Sequence, residues 1–178
     1  MFDKTKNIIY CDLDGVLADF DAAKKFLSPS AQTDDDQMWK EIAQVPRFYR
    51  LLQPMRYARA LWSAIEKTGA EAKILTAIPR KATMPTAEED KRWWCNVSMG
   101  PMIFGNKEVE VLIGPHSRDK HKHCKPGDIL IDDRRDNCEQ WSDAGGVAIL
   151  HKGNTVNTIE RLRLATNQQP LSSAWQAL

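Results

Sequence analysis

The sequence predicts an α/β fold built around a central parallel sheet, with a small helical cap inserted after the first strand. Five short runs are apolar almost throughout, as is typical of strands that helices cover on both faces. Helical patterns lie between several of these runs, and strands that alternate with helices indicate a doubly wound, Rossmann-like three-layer sandwich. The five runs are residues 8–11, 72–76, 109–113, 129–131 and 147–150.

Four segments show the spacing of helices that bury one face. In residues 57–67, Leu61, Trp62 and Ile65 fall on the same face, and Gly69 provides a stop. We expect each helix to pack its apolar face against the sheet. The other three segments are residues 88–97, 134–144 and 155–166.

About sixty residues separate the first predicted strand from the second, far more than a simple crossover needs. We interpret the extra segment, residues 19–53, as a small helical cap. Residues 1–18 and 54–178 would then form the core domain. The predicted cap carries five aromatic residues, namely Phe20, Phe26, Trp39, Phe48 and Tyr49.

The chain carries 25 Lys and Arg residues against 24 Asp and Glu, and 42% of its 178 residues are hydrophobic. This balance argues against a nucleic-acid or membrane partner, so an anionic ligand would need a local positive site. No apolar segment approaches the ~20 residues that span a bilayer, and the first residues lack the apolar stretch of a signal peptide. Four cysteines without a CxxC pair favour free thiols in a reducing, cytoplasmic setting over two disulfides. We keep a homodimer as a further expectation.

Pairs of acids end two of the predicted strands. Asp12 and Asp14 follow the first strand, and Asp132 and Asp133 end the fourth. Acids often end strands because turns favour Asp, but two such pairs on one sheet favour a site. Ligands gather at the carboxyl ends of parallel strands, and oxygen ligands suit a hard cation such as Mg²⁺. The sequence therefore predicts a magnesium site that serves a phosphate substrate.

Two residues could hold the phosphate in such a site. Thr76 ends the second strand, although a Thr there is also an ordinary strand residue. Lys120 follows the third strand and could neutralise charge on a transferring phosphoryl group, although most lysines are simply exposed. Lys125 is an alternative for the same role, and the choice between the two lysines stays open.

These motifs together resemble the haloacid dehalogenase-like (HAD) superfamily of phosphatases, over about residues 8–150. The extension after the first motif, and the Arg-Asp-Lys that precedes Leu-Ile-Asp-Asp, look most like the 5'(3')-deoxyribonucleotidases. The ordered set is Asp12-x-Asp14-Gly15-Val16-Leu17-Ala18-Asp19-Phe20, Leu75-Thr76, Lys120 and Ile131-Asp132-Asp133. The return from cap to core, Phe48-Tyr49-Arg50-Leu51 and then Pro54, is also similar to that group.

The resemblance implies a magnesium-dependent phosphatase that forms an aspartyl-phosphate. Asp12 would attack phosphorus, while Asp14 would protonate the leaving alcohol and then activate water. Mg²⁺ would be held by the Asp12 carboxylate, the Asp14 backbone carbonyl and Asp132. Asp133 would bind it through water or orient the other ligands.

The resemblance also implies a set of substrate contacts. Thr76 and Lys120 would bind phosphate oxygens, and Lys91 matches a further phosphate-contacting lysine. A nucleoside monophosphate is the implied substrate, and cap aromatics would stack on its base. Those cap residues are Phe20, Phe48 and Tyr49.

Two departures bear on the substrate. Ala77 occupies a pocket position where the deoxyribonucleotidases usually have Ser, and Lys120 lies slightly further before Asp132 than expected. Another small phosphate ester or a nucleic-acid 3'-phosphate end is thus an alternative substrate. A non-catalytic binding module on the same scaffold is an alternative of another class. A zinc site in the loop of His116, His121, His123 and Cys124 is disfavoured because a second ligand pair is missing.

Overall fold

The structure is a computed structural model that describes residues 2–105, 107–114 and 117–168. Its centre is a five-stranded sheet in which all paired strands are parallel, which confirms the predicted α/β class. The strands are β1 (Ile8–Cys11), β2 (Glu71–Ala77), β3 (Val111–Gly114), β4 (Ile129–Asp132) and β5 (Val147–Leu150). Their order across the sheet is β3-β2-β1-β4-β5, so β1 is the central strand.

Seven α-helices and two 3₁₀ helices connect the strands within the described residues. The four amphipathic segments predicted in the core form helices within one residue or two of the expected bounds. The α-helices are α1 (Phe20–Leu27), α2 (Asp35–Ala43), α3 (Ala58–Glu66), α4 (Ala87–Asn96), α5 (Gly100–Phe104), α6 (Arg135–Asp143) and α7 (Thr155–Ala165). The 3₁₀ helices span Phe48–Leu51 and Ser117–His123.

The strands β1, β2 and β4 bury apolar side chains on both faces of the sheet, as their composition predicts. Ile9, Cys11, Ile74 and Ile131 lie in the larger core, while Tyr10 and other residues form a smaller cluster on the opposite face. Burying such side chains contributes about 1.5–3 kcal/mol each, which fixes the sheet rigidly. A rigid sheet holds the ends of β1, β2 and β4 at fixed relative positions.

The segment between β1 and β2 is helical, with α1, α2 and the first 3₁₀ helix. Asp19 and Asp34 cap the two α-helices, because their carboxylates accept the N–H groups of Ala22 and Gln37 at 2.9 and 3.0 Å. Phe20 links the helices, since its ring centroid lies 5.8 Å from that of Trp39. The division of residues 19–53 into a separate cap domain stays a prediction.

The structure differs from the sequence prediction around β3. The strand begins at Val111 instead of residue 109, because the N–H of Val109 is donated to the side chain of Asn96 at 3.3 Å. The short helix α5 and the 3₁₀ helix Ser117–His123 were not predicted. The four cysteines are free thiols, as expected. Within the described ranges, no helix has both the length and the apolar character to cross a membrane.

Candidate active site

Three neighbouring strands deliver polar side chains to the carboxyl edge of the sheet. β1 runs into Asp12, whose N–H continues the ladder to the carbonyl of Ile131 at 2.9 Å. β2 carries Thr76, and β4 ends at Asp132 and is followed by Asp133. Carboxylate oxygens of Asp12, Asp132 and Asp133 all lie within 4.8 Å of one another. The structure therefore brings together the acids that the sequence places at separate strand ends.

Lys120 lies at the centre of these acids. Its Nζ is 2.8 Å from Asp12 Oδ1 and 2.6 Å from Asp132 Oδ2, and its side chain is only 2% exposed. Burial alone would lower the pKa of Lys120, but the two carboxylates outweigh it and raise that pKa, so the ammonium stays charged. Lys125 is exposed, and its N–H bonds to Asp128 at the amino end of β4, away from these acids.

Asp132 is held by more than the lysine. Its Oδ1 accepts the N–H of Arg134 at 2.9 Å, and the side-chain amide of Asn137 donates to Oδ1 and Oδ2 at 2.9 and 3.1 Å. Asn137 is buried on the first turn of α6, where it fixes the orientation of the carboxylate. Sequence reasoning missed Asn137. The available signal was its place five residues after Asp132, at the start of the helix predicted over residues 134–144.

Three carboxylates share a single buried lysine, so the cluster has an excess of negative charge. Burial raises the pKa of Asp12 to about 7, with Lys120 opposing the rise and Asp132 and Asp133 adding to it. Burial and the charge of Asp132 raise the pKa of Asp133 to about 6. An excess of carboxylate oxygens in one small space fits a hard divalent cation.

The histidine-rich loop, in which a zinc site was disfavoured, forms no second group of possible metal ligands among its described residues. In the part of the chain that the structure describes, the one group of three or more acids, histidines or cysteines close enough to hold an ion is Asp12 with Asp132 and Asp133. His121, His123 and Cys124 therefore form no such group. His116 lies outside the described residues.

Asp14 contacts a second lysine. The carboxylate Oδ2 of Asp14 lies 2.7 Å from Lys91 Nζ, and that ammonium also donates to Thr76 Oγ1 at 2.9 Å and to the carbonyl of Ala77 at 2.6 Å. The Lys91 side chain is 1% exposed, and its Nζ lies 4.5 Å from the ring centroid of Tyr49. Lys91 is thus buried beside Asp14 and does not line the cleft above it.

A cleft of ≈ 640 Å³ opens above these residues. Asp12, Asp14, Thr76, Ala77 and Lys120 line its floor, and the aromatic residues Phe20, Trp39 and Tyr49 line the side formed by residues 19–53. Phe48 is buried against Phe20, with ring centroids 5.6 Å apart, and is not among the residues that line the cleft. Sequence reasoning had not assigned several further lining residues to the site, among them Lys24, Trp39, Arg80 and Thr83. Arg80 and Thr83 lie in the loop that follows β2, so their place after a strand end was an available signal.

Gly15 is required by the close approach of Asp133. Its φ is +75°, and a Cβ at this position would lie 2.5 Å from Asp133 Oδ2. We expect Gly15→Ala to destabilise the fold by about 2–4 kcal/mol, through backbone strain and the clash together. Urea denaturation of the purified variant measures this change.

Gly153→Ala is the matched control for Gly15→Ala. Gly153 has the same φ of +75° and has nothing within 4 Å of the added Cβ. Gly153→Ala should lower the free energy of unfolding by the backbone strain alone, about 1–2 kcal/mol. Equal losses in the two variants would show that the contact with Asp133 is unimportant.

No protein-family model and no curated protein matches this sequence. Solved structures with a similar course of the chain include three that share 14% identity with it. An uncharacterized protein from Corynebacterium glutamicum has a TM-score of 0.49 and covers 93% of this chain and 98% of its own. The second is a hydrolase from Streptococcus pneumoniae, with a TM-score of 0.47, which covers 90% of this chain and 98% of its own. The third is the HAD domain of the effector protein Lem4 from Legionella pneumophila, with a TM-score of 0.46, which covers 91% of this chain and 96% of its own.

Proposed function

We propose that this protein is a magnesium-dependent phosphatase of the HAD type, which hydrolyses phosphate monoesters through an aspartyl-phosphate on Asp12. The observation that supports it best is the environment of Asp12. This carboxylate directly follows the central strand and lines an open cleft, with a buried lysine and two further acids beside it. One phosphate in the cleft could then contact the nucleophile Asp12, the ammonium group of Lys120 and a bound metal ion.

The donor set fits Mg²⁺. The Asp12 carboxylate, the Asp14 backbone carbonyl and Asp132 would hold the ion, and Asp133 would bind through water or orient the other ligands. When bound, the ion would supply positive charge that lets an anionic phosphate approach three carboxylates. Lys120 already contributes one positive charge at the same place, since it contacts Asp12 and Asp132.

In the first step, a carboxylate oxygen of Asp12 forms a bond to phosphorus, and the ester P–O bond breaks. The Asp14 carboxyl group gives its proton to the departing alkoxide, so the alcohol leaves neutral. Leu13 N–H donates to Asp12 Oδ1 at 2.7 Å and fixes the carboxylate, which leaves Oδ2 as the attacking oxygen.

In the second step, a water molecule attacks phosphorus and gives a proton to the Asp14 carboxylate. The bond between phosphorus and Asp12 breaks, which releases inorganic phosphate and restores both acids. Thr76 and Lys120 line the floor, where their O–H and N–H groups would donate to the phosphate oxygens that carry the developing charge.

A nucleoside monophosphate is the substrate class we propose, in the manner of a 5'(3')-deoxyribonucleotidase. Three aromatic side chains, Phe20, Trp39 and Tyr49, line the cleft, and such rings suit a flat base. The ≈ 640 Å³ volume lies in the range of small-molecule sites. Ala77 lines the floor and offers no side-chain hydroxyl to the phosphate or the sugar. A cytoplasmic setting and a homodimer stay predictions.

The test is a screen for released phosphate over nucleoside monophosphates, sugar phosphates and oligonucleotides with a 3'-phosphate, with added Mg²⁺ or with EDTA. We expect Mg²⁺-dependent release, fastest from nucleoside monophosphates. Faster turnover of sugar phosphates or of oligonucleotide ends would replace the proposed substrate class. Ligand binding without release from any ester would favour a non-catalytic binding module.

Magnesium binding should weaken as the pH falls. The raised pKa values, about 7 for Asp12 and about 6 for Asp133, mean that both acids take up protons in the metal-free protein just below neutral pH. Cations bind only the ionised forms, so affinity rises as the pH rises through these values. We expect the apparent dissociation constant of Mg²⁺ to be about tenfold larger at pH 6 than at pH 8.

Isothermal titration calorimetry in two buffers of different ionisation enthalpy measures both the affinity and the protons that are released. Asp133→Asn is the control, because it removes the lower of the two titrations and should keep the dependence that comes from Asp12. An affinity that is constant between pH 6 and pH 8 would contradict a cation site made by these acids.

A further inference from the structure

The ammonium group of Lys91 has no N–H left for a ligand. A lysine ammonium carries three N–H groups. Those of Lys91 have three acceptors, namely Asp14 Oδ2, Thr76 Oγ1 and the carbonyl of Ala77, at 2.6–2.9 Å. The side chain is 1% exposed, and the cleft lies on the other side of these acceptors. A phosphate in the cleft would therefore meet Asp14 and Thr76 before it met Lys91.

We infer that Lys91 is a positioning residue, which acts on the reaction by holding the acid Asp14 and the hydroxyl of Thr76, and that it is not a phosphate ligand. This inference rests on the proposed function, because it assumes that Asp14 transfers the proton. It replaces the role that the resemblance implies for Lys91 with one that follows from its contacts.

The helix that carries Lys91 is anchored on its other neighbours. Asp90 is 1% exposed, and its Oδ1 accepts from Arg47 at 2.9 Å and from Arg50 at 2.7 Å. Arg47 precedes the 3₁₀ helix Phe48–Leu51 and Arg50 belongs to it, and this helix places the ring of Tyr49 4.5 Å from Lys91 Nζ. Trp94, one turn further along α4, donates from its indole to the carbonyl of Leu52 at 2.8 Å. The position of the ammonium is therefore fixed on several sides.

The two oxygens of Asp14 have different surroundings. Oδ2 is held by Lys91, whereas Oδ1 is buried and has no hydrogen-bond partner within the described residues. Such an oxygen is costly unless a ligand completes it. The contact with Lys91 therefore holds the carboxylate of Asp14 through Oδ2. Thr76 accepts from Lys91, and its own hydroxyl contact to Ala77 is long at 3.5 Å, so its hydrogen can be donated to the phosphate.

The test compares two esters that differ in how much they need an acid. An alkyl phosphate such as a nucleoside 5'-monophosphate needs a proton on its leaving oxygen, whereas p-nitrophenyl phosphate releases a stable phenolate without one. Single-turnover release of the alcohol or the phenolate measures the first step alone. We expect Lys91→Met to slow release of the nucleoside by about 10²-fold or more and release of nitrophenolate by less than about tenfold.

Asp14→Asn provides the matched comparison. If Lys91 acts through Asp14, the double variant Lys91→Met/Asp14→Asn should release nucleoside about as slowly as Asp14→Asn alone, because residues that act as a unit are not additive. Lys91→Gln keeps an amide donor and serves as the second variant if the methionine is not tolerated in the buried site. Thermal unfolding of each variant shows that the compared proteins are folded.

Three outcomes would overturn the inference. Equal slowing of both esters in a folded Lys91 variant would show that Lys91 does not act through the acid Asp14. Unchanged release in the Lys91 variants, or fully additive losses in the double variant, would remove the link to Asp14. If the wild-type protein releases neither product, the proposed function is overturned and the inference with it. This outcome is distinguishable from the other two because it is seen without any substitution.

Discussion

Asp12→Asn is expected to lower phosphate release by on the order of 10⁴-fold or more, the loss typical of removing an enzyme nucleophile. The amide has nearly the shape of the carboxylate, but its oxygen is a poor nucleophile toward phosphorus. Asp12 lines the cleft and lies 2.8 Å from the cation of Lys120, which is where the proposed mechanism needs the attacking carboxylate. Steady-state phosphate release with Mg²⁺ measures the effect.

The covalent intermediate provides a second, independent test of the Asp12→Asn variant. Wild-type protein quenched with acid during turnover of a ³²P-labelled ester should carry label that hydroxylamine removes, as an acyl phosphate does. Asp12→Asn should carry none, whereas Asp143→Asn, an exposed acid on α6, should behave as wild type. Label retained in Asp12→Asn would place the nucleophile elsewhere.

Lys120→Met is expected to have the largest effect on stability. The substitution leaves Asp12 and Asp132 buried without the cation that contacts both at 2.8 and 2.6 Å. Removing one member of a buried ion pair costs about 3–5 kcal/mol, because the remaining charge is uncompensated. Urea denaturation in EDTA measures the loss, and added Mg²⁺ should recover part of it by binding the folded state.

Lys125→Met is the control for this variant. Lys125 belongs to the same stretch of chain but is exposed, so its replacement should change the free energy of unfolding by less than about 0.5 kcal/mol. Lys120→Met should also lower turnover by about 10²–10³-fold, since it removes a donor to the transferring group. A larger loss of activity in Lys125→Met than in Lys120→Met would reverse the assignment of the two lysines.

The acids and the threonine of the site could be predicted because strand ends are readable from sequence. Asp12, Thr76 and Asp132 each follow a run of apolar residues, and the carboxyl ends of parallel strands meet at one edge. Predicting these positions needs only the strands and their direction. The fold class could be predicted for the same reason.

Contacts that depend on helix packing could not be predicted in this way. Lys91 lies on a helix whose rotation and depth are set by bonds from Asp90 and Trp94 to a distant segment. Phe48 and Tyr49 are neighbours in sequence, yet only Tyr49 lines the cleft. The backbone of a short 3₁₀ helix decides which of the two adjacent rings lines the cleft. The presence of two aromatic residues in the sequence does not predict this choice.

Because β1 is the central strand, the catalytic site is complete only when the rest of the sheet has formed. The N–H of Ile8 is donated to Asp128, 120 residues further along the chain, and β1 pairs with β4 at the same distance. Closing so large a loop costs entropy before its contacts repay it, so such pairing tends to form late. A nascent chain that has not yet produced β4 carries Asp12 without Asp132 or its neighbours. Activity would therefore appear only once nearly the whole sheet is assembled, which makes turnover a direct measure of correctly finished protein.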